Sequence, residues 1–240
     1  NNMSDFFYEN VKINMNVLNT AKELGIKKVV SLLSTCVYPD DATYPLTEDQ
    51  IHNGEPHYTN FGYAYAKRML DVQSRAIRQQ FGLNYITAVP NNLFGENDNF
   101  DLENGHVIPS LIRKIHEAKL TGIPPVLWGD GTSLREFTHS SDVARSLIFL
   151  LEYYNEATPV NIGNTSETSI STLVKILSNI LDYKGKIKWD KARPAGQFKK
   201  PSSNKKFMKL CPAFKYNNLN DSLEKTCAWF LDNYPNVRGI

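Results

Sequence analysis

Apolar positions along this chain fall into two alternating rhythms, a three-to-four residue spacing over long stretches and short unbroken runs between them. Residues 4–24 carry Phe7, Val11, Leu18, Ala21 and Leu24 towards one side and stop at Gly25. This predicts an amphipathic helix of about 20 residues with Ser4 as N-cap. Residues 27–33 are a short apolar run rich in β-formers, the pattern of a strand buried on both faces. A Pro-containing loop to about Asn60 follows, then a second helix to Gly82, a strand at 84–89, an Asn-rich loop at 91–104 and a helix near 107–119. Strand–helix alternation of this kind predicts a parallel sheet flanked by helices.

Beyond Gly122 the rhythm loosens. Val126-Leu-Trp128 reads as a short strand before the turn Gly129-Asp-Gly131, and Ser140 or Ser141 caps an apolar helix to about Tyr154. A strand at 159–162 precedes a helix from about Ser169 to Leu181. Residues 191–206 are basic, polar and Pro-containing, which predicts an exposed loop. Leu223, Cys227, Phe230 and Leu231 mark a last amphipathic helix.

Composition narrows the class without choosing it. The chain of 240 residues is 41% hydrophobic and 22% charged, as expected of one globular domain or two fused ones. A net charge of +2 implies neither a nucleic-acid nor a membrane partner. The apolar runs are far shorter than a membrane span, and no signal peptide is read at the start. Cys36, Cys211 and Cys227 lack metal-ligand spacing and read as free thiols in a reducing compartment, the cytoplasm.

The candidate chemistry centres on the second helix. Tyr63 and Lys67 stand four residues apart, which places phenol and ammonium one above the other on one face. An ammonium beside a phenol stabilises the phenolate, so the spacing predicts a Tyr63 pKa lowered from about 10. Tyr65 is excluded from this role because Met69 lies four residues on. In open α/β sheets ligands bind at the C-terminal ends of strands, where Ser34-Thr35-Cys36 and Asn91-Asn92 both fall.

In combination these residues resemble the extended short-chain dehydrogenase/reductase family, whose catalytic set is a Ser or Thr after one strand and Tyr-x-x-x-Lys on the next helix. The resemblance runs through Leu33-Ser-Thr-Cys-Val-Tyr-Pro39, Asn60-Phe-Gly-Tyr-Ala-Tyr-Ala-Lys67, Pro90-Asn-Asn-Leu-Phe-Gly95 with Asp98-Asn-Phe100, and Gly105-His-Val-Ile-Pro109. It continues through Trp128-Gly-Asp-Gly-Thr-Ser-Leu-Arg-Glu-Phe137, Gln197-Phe-Lys-Lys200 and Thr226-Cys-Ala-Trp-Phe230. It implies an α/β fold, a Rossmann-like doubly wound parallel sheet with a smaller α/β substrate-binding domain. Residues 1–104, with 137–165 returning to them, would belong to the NADP-binding part, and 105–136 and 166–240 mainly to the sugar-binding part.

The same resemblance implies NADP(H) chemistry on GDP-4-keto-6-deoxy-mannose, 3,5-epimerisation followed by 4-keto reduction, in a homodimer. Ser34 and Tyr63 would serve the C4 keto oxygen, Lys67 the nicotinamide ribose, and Cys36 and His106 proton transfer at C3 and C5. Leu33, Ser34, Lys67, Pro90, Asn91, Asn92, Leu93 and His106 would approach the cofactor, and Lys114, Trp128 and Arg135 the GDP-sugar. Each has a plainer reading: Ser34 a turn cap, Cys36 a small buried hydrophobe, His106 a helix-start residue, Trp128 a core side chain.

The sequence departs from the family pattern in two places. No G-x-x-G-x-x-G occurs, and the chain opens on what looks like the fourth helix of the nucleotide-binding half. Ala195 stands where the family usually carries Asp. Two other readings therefore stand beside the first: another nucleotide-sugar epimerase or dehydratase with retained NAD, or a non-catalytic partner of an intact subunit.

Overall fold

The computed structural model describes residues 3–192 and 198–240; Ala195 lies outside the described residues. In chain order the elements are α1 (Met3–Glu23), β1 (Lys28–Leu32), α2 (Phe61–Phe81), β2 (Asn84–Val89), β3 (Asn92–Phe94), α3 (Val107–Thr121), β4 (Val126–Trp128) and β5 (Leu134–His139). They continue with α4 (Ser140–Tyr153), β6 (Val160–Asn161), β7 (Glu167–Ser169), α5 (Ile170–Ile180), β8 (Lys188–Asp190), α6 (Lys205–Leu210) and α7 (Leu219–Asn233). The fold is α/β, and the chain forms two compact units.

The first unit comprises Asn1–Asn91, Val143–Thr165 and Pro201–Phe214. Its sheet has the order β1-β2-β6, all parallel, with Leu32 beside Ala88 and Ala88 beside Val160. α2 runs to Gly82, whose positive φ of 67° ends the helix in the left-handed conformation that glycine adopts without strain. Gly62 sets how closely α1 approaches α2: a Cβ there would stand 2.8 Å from the Met3 carbonyl oxygen. Leu18, Leu33, Val37, Tyr38, Leu70 and Val89 are buried together in the core of this unit.

The second unit comprises Asn92–Asp142, Ser166–Lys200 and Lys215–Ile240. It holds the sheet β3-β5-β7, parallel then antiparallel, and the parallel pair β4-β8. Its core is built by Ile108, Ile112 and Ile115 of α3, Leu173 and Leu177 of α5, and Leu223, Cys227 and Phe230 of α7.

Several expectations need correction. β1 is half-buried rather than buried on both faces, because it pairs with β2 on one side only among the described strands. Ser4 lies inside α1, which starts at Met3. The Asn-rich loop contains β3, and Asn92–Phe94 pairs with Phe137–His139, so both segments join the second unit rather than the first. The segment 191–206 is not simply exposed. Ser202 and Ser203 are buried, Leu46 N–H donates to the Pro201 carbonyl at 2.9 Å, and Ser203 N–H donates to Leu46 at 2.9 Å. That pairing draws Pro201–Phe214, with α6, into the first unit.

All three cysteines are free thiols. Among the described residues no helix is long and apolar enough to cross a membrane.

Candidate active site

Within the first unit the parallel strands β1 and β2 end side by side, since Leu33 N–H donates to the Ala88 carbonyl at 2.8 Å. Just past that point Ser34 is extended (φ −155°, ψ 154°), and its side-chain oxygen accepts the Cys36 N–H at 3.3 Å. The contact opens a single 3-10 turn, Thr35–Val37, anchored by Val37 and Tyr38, both fully buried. Arg68 locks the turn from α2: Nε donates to the Val37 carbonyl at 2.8 Å and Nη1 to Gly54 at 2.7 Å. Sequence reading missed Arg68, which stands beside Lys67 on the helix and carries no spacing signal of its own.

Tyr63 and Lys67 share the α2 face turned towards this turn. Tyr63 is pushed above the ordinary tyrosine value, first by burial and next by the nearby Cys36 thiol, while a side-chain hydrogen bond with Ser34 pulls it down. This corrects the expectation that Lys67 lowers it. Lys67 Nζ stands 5.8 Å from the centre of the Tyr63 ring and donates instead to the Leu32 carbonyl at 2.9 Å. The ammonium is thus held at the end of β1, with its own value lowered by burial. The spacing gave the shared face correctly but not the partner that Nζ chooses.

A phenol that stays protonated at neutral pH is a proton donor. The Ser34 hydroxyl accepts the Cys36 N–H and is hydrogen-bonded to Tyr63, so serine and phenol form one pair that a substrate oxygen can join.

At the end of β2, Pro90 is buried and Asn91 Nδ2 donates to the Asn164 carbonyl at 2.7 Å. A Cβ on Gly163 would collide with the Asn91 amide, so backbone and amide close on each other there. Leu33, Ser34, Lys67, Pro90 and Asn91 accordingly lie at adjacent C-terminal strand ends, the place where this fold receives a dinucleotide. Ser34, Tyr63 and Lys67 fit the nicotinamide end of NADP: a hydroxyl, a neutral phenol and a fixed ammonium on one surface.

The remaining candidates belong to the second unit. Asn92 and Leu93 begin β3, and Asn92 Nδ2 donates to the Glu136 carbonyl at 2.7 Å. His106 is the N-cap residue of α3, exposed and without a side-chain capping bond. Two turns further along α3, Lys114 Nζ lies 5.9 Å from the centre of the Trp128 ring, and burial lowers the Lys114 value. Trp128 is 55% exposed, so it is no core side chain but a flat face offered at the end of β4. Arg135 of β5 donates from Nη1 to the Leu134 carbonyl at 2.7 Å, and burial lowers its value as well.

Serine and tyrosine–lysine at the ends of parallel strands define an oxidoreductase of the short-chain dehydrogenase/reductase type. Comparison with known proteins places the chain more closely. Residues 1–163 match the model of the NAD dependent epimerase/dehydratase family, and the chain belongs to that family. It is 40% identical to a GDP-L-fucose synthase of Dictyostelium discoideum, over 98% of this chain and 74% of that protein. It is 36% identical to a GDP-L-colitose synthase of Yersinia pseudotuberculosis, over 98% and 77%. Among solved structures, a GDP-L-fucose synthetase from Naegleria fowleri bound to NADP matches with a TM-score of 0.95 at 38% identity, over 98% of this chain and 76% of that one.

Proposed function

We propose that this chain carries the chemistry of an NADPH-dependent epimerase-reductase that converts GDP-4-keto-6-deoxy-D-mannose to GDP-L-fucose. The observation that carries the reading is the thiol of Cys36 placed two residues beyond Ser34, near enough to Tyr63 to act on it. A plain ketoreductase needs Ser34, Tyr63 and Lys67 alone. The added thiol is what carbon deprotonation beside the ketone requires, and relatives named GDP-L-fucose synthase support the same direction.

The carbons flanking a ketone are acidic because the enolate spreads its charge onto oxygen. Ser34 and Tyr63 donate hydrogen bonds to that oxygen and stabilise the charge that develops there. Inversion at C3 and C5 takes one group to remove the proton and another to return it from the opposite side. Cys36 and His106 are assigned these places, a thiol and an imidazole that can each give up and take back a proton.

NADPH, held by these residues, would supply the hydride for C4. Tyr63 then passes its phenolic proton to the C4 oxygen, Ser34 holds that oxygen in place, and Lys67 orients the nicotinamide ribose. Lys114 and Arg135 offer charge to the diphosphate and Trp128 a stacking face to the base. The reading includes a cytoplasmic homodimer, supported by the free thiols and by Phe6, Tyr8, Ile13 and Val17 exposed on α1.

Turnover in deuterated buffer with NMR of the product tests it. Cys36→Ala and His106→Ala should each stop deuterium entering C3 and C5 while some reduction of the unepimerised ketone persists. Full incorporation at both carbons in the double variant overturns the pair. Turnover of UDP- or dTDP-sugars in place of GDP-sugars overturns the substrate.

A further inference from the structure

The outward side of the β4–β8 pair sets a carboxylate next to the ring assigned above to the nucleotide base. The two strands run parallel, with Leu127 beside Trp189 and Trp128 beside Asp190. Successive side chains on a strand point to opposite faces, and partners in register share a face. Leu127, 2% exposed, and Trp189 both pack into the core of the second unit. A Cβ on Gly131 would stand 2.6 Å from the Trp189 ring, so the turn after β4 closes on that ring as well. Trp128 and Asp190 are therefore turned together to the opposite side, where Trp128 is exposed.

The carboxylate is also held along the strand. Gly129 N–H donates to the Asp190 carbonyl at 2.9 Å, which carries the pairing one residue past Trp128. Ala192 N–H donates to Oδ1 of Asp190 at 3.1 Å. A carboxylate has two oxygens and about four lone-pair sites, so one such bond orients the group without saturating it. Asp130, in the turn after Trp128, is differently placed. Its Oδ1 takes both the N–H and the hydroxyl of Thr132, at 2.9 and 2.7 Å, and so closes its own turn.

We propose that Asp190 reads the base of the sugar nucleotide and selects guanine. The proposal rests on the assignment of Trp128 to that base. An ionised carboxylate only accepts hydrogen bonds. A base stacked on an aromatic ring is told from other bases by the groups along its edge. Guanine presents N1–H and the N2 amine side by side, a donor fork that matches the two carboxylate oxygens. Uracil and thymine present a single N–H between two carbonyl oxygens, and adenine an amine beside a bare ring nitrogen. Each of these sets a lone pair against the carboxylate.

Calorimetric titration of the full chain with GDP, inosine diphosphate and UDP tests this. Inosine diphosphate keeps the ribose, the diphosphate and N1–H, and lacks only the N2 amine. The parent should bind GDP about tenfold to a hundredfold more tightly than inosine diphosphate, the cost of one lost hydrogen bond to a charged group. UDP should bind more weakly than GDP. Asp190→Asn retains an oxygen for the Ala192 N–H, and its urea midpoint should match the parent. It should weaken GDP until the two purine nucleotides bind within about threefold of each other. Equal affinity for GDP and inosine diphosphate in the parent overturns the proposal, and so does a parent-level preference in Asp190→Asn. Trp128→Ala separates this from the reading beneath it. If that variant binds GDP more weakly, the base lies on this face and the purine comparison decides on Asp190 alone. If it binds GDP as the parent does, or the parent binds no GDP, the base assignment fails and the Asp190 proposal with it.

Discussion

Lys67 reaches past Tyr63 to the end of β1, where its Nζ donates to the Leu32 carbonyl at 2.9 Å. Among the described strands β1 pairs on one side only, and Lys67 takes up a carbonyl at its end. The ammonium is therefore fixed by main chain, independently of the phenol it accompanies. Two separate settings, a high phenol and an anchored cation, replace the single tuned pair that helix spacing alone predicts.

Lys67→Met should separate stability from activity. Burial lowers the Lys67 value, so the charged form is penalised at every pH below the folded value. Stability should rise with pH from there to the ordinary lysine value, and the variant should lack this rise. Losing the charged bond to Leu32 costs about 1.5–3 kcal/mol, which the relief largely offsets. Urea unfolding at neutral pH should therefore place Lys67→Met within about 1 kcal/mol of the parent, whereas NADPH oxidation falls by about a hundredfold or more. A collapse of stability with intact turnover would contradict the assignment.

Tyr63→Phe should slow C4 reduction by about 10²–10⁴, the contribution of a positioned proton donor, and slow C3 and C5 exchange less. Because burial and Cys36 hold the phenol above its ordinary value, the parent's reduction rate should stay flat through neutral pH. It should decline only in the alkaline range above about 10, as the donor is lost. Ser34→Ala removes the contact that lowers the phenol, so its decline should begin at still higher pH. A pH–rate profile of NADPH oxidation that breaks near neutrality in the parent would show that another group donates the proton.

Arg68 links α2 to the turn that carries Cys36, through the Val37 and Gly54 carbonyls. Arg68→Met keeps the aliphatic stem but leaves both carbonyls without their cation. Charged hydrogen bonds of this type contribute about 1.5–3 kcal/mol each, so the variant should lose about 3 kcal/mol or more in urea unfolding. Deuterium exchange at the sugar carbons should fall with it, since the Cys36 turn is no longer held. Parent stability in Arg68→Met would mean that the loop from Val37 to Gly54 is secured by other contacts.

Much of this was legible in the residues, and the losses have particular causes. α2, β2 and α5 follow from the apolar pattern and from glycine or serine at their ends, with Gly82 and Ser169 at the expected caps, and β4 from an apolar run stopped by Gly129-Asp-Gly131. β3, β7 and β8 are three residues each, too short to show any period, and they exist only because distant strands pair with them. α6 was hidden by lysines, whose polarity matched the loop before it. Ser34, Tyr63 and Lys67 were visible as a spacing. Arg68 was not, because its meaning depends on which backbone carbonyls the fold brings beside it.

Lys114, Trp128 and Arg135 should set sugar-nucleotide affinity separately from cofactor affinity. Trp128 offers an exposed ring with the Lys114 ammonium 5.9 Å from its centre, and Arg135 is a buried-side cation on β5. Burial lowers the values of both cations, so each carries a charge that the fold alone does not favour. An incoming diphosphate restores the balance by pairing with them, which makes the contacts charge-assisted and geometrically demanding. Arg135→Lys keeps the charge but loses the planar fork suited to two phosphate oxygens. At about 1.5–3 kcal/mol for a lost charged hydrogen bond, KM for the GDP-sugar should rise by roughly tenfold to a hundredfold. Trp128→Ala should raise it too, by removing the stacking surface, and should make the remaining affinity steeper in salt. KM for NADPH should stay within about twofold in both, because neither residue is among those assigned to the cofactor. Initial-rate kinetics varying one substrate at a time read both constants. A rise in KM for NADPH with the sugar constant unchanged would move these residues to the cofactor and leave the GDP-sugar without its assigned contacts.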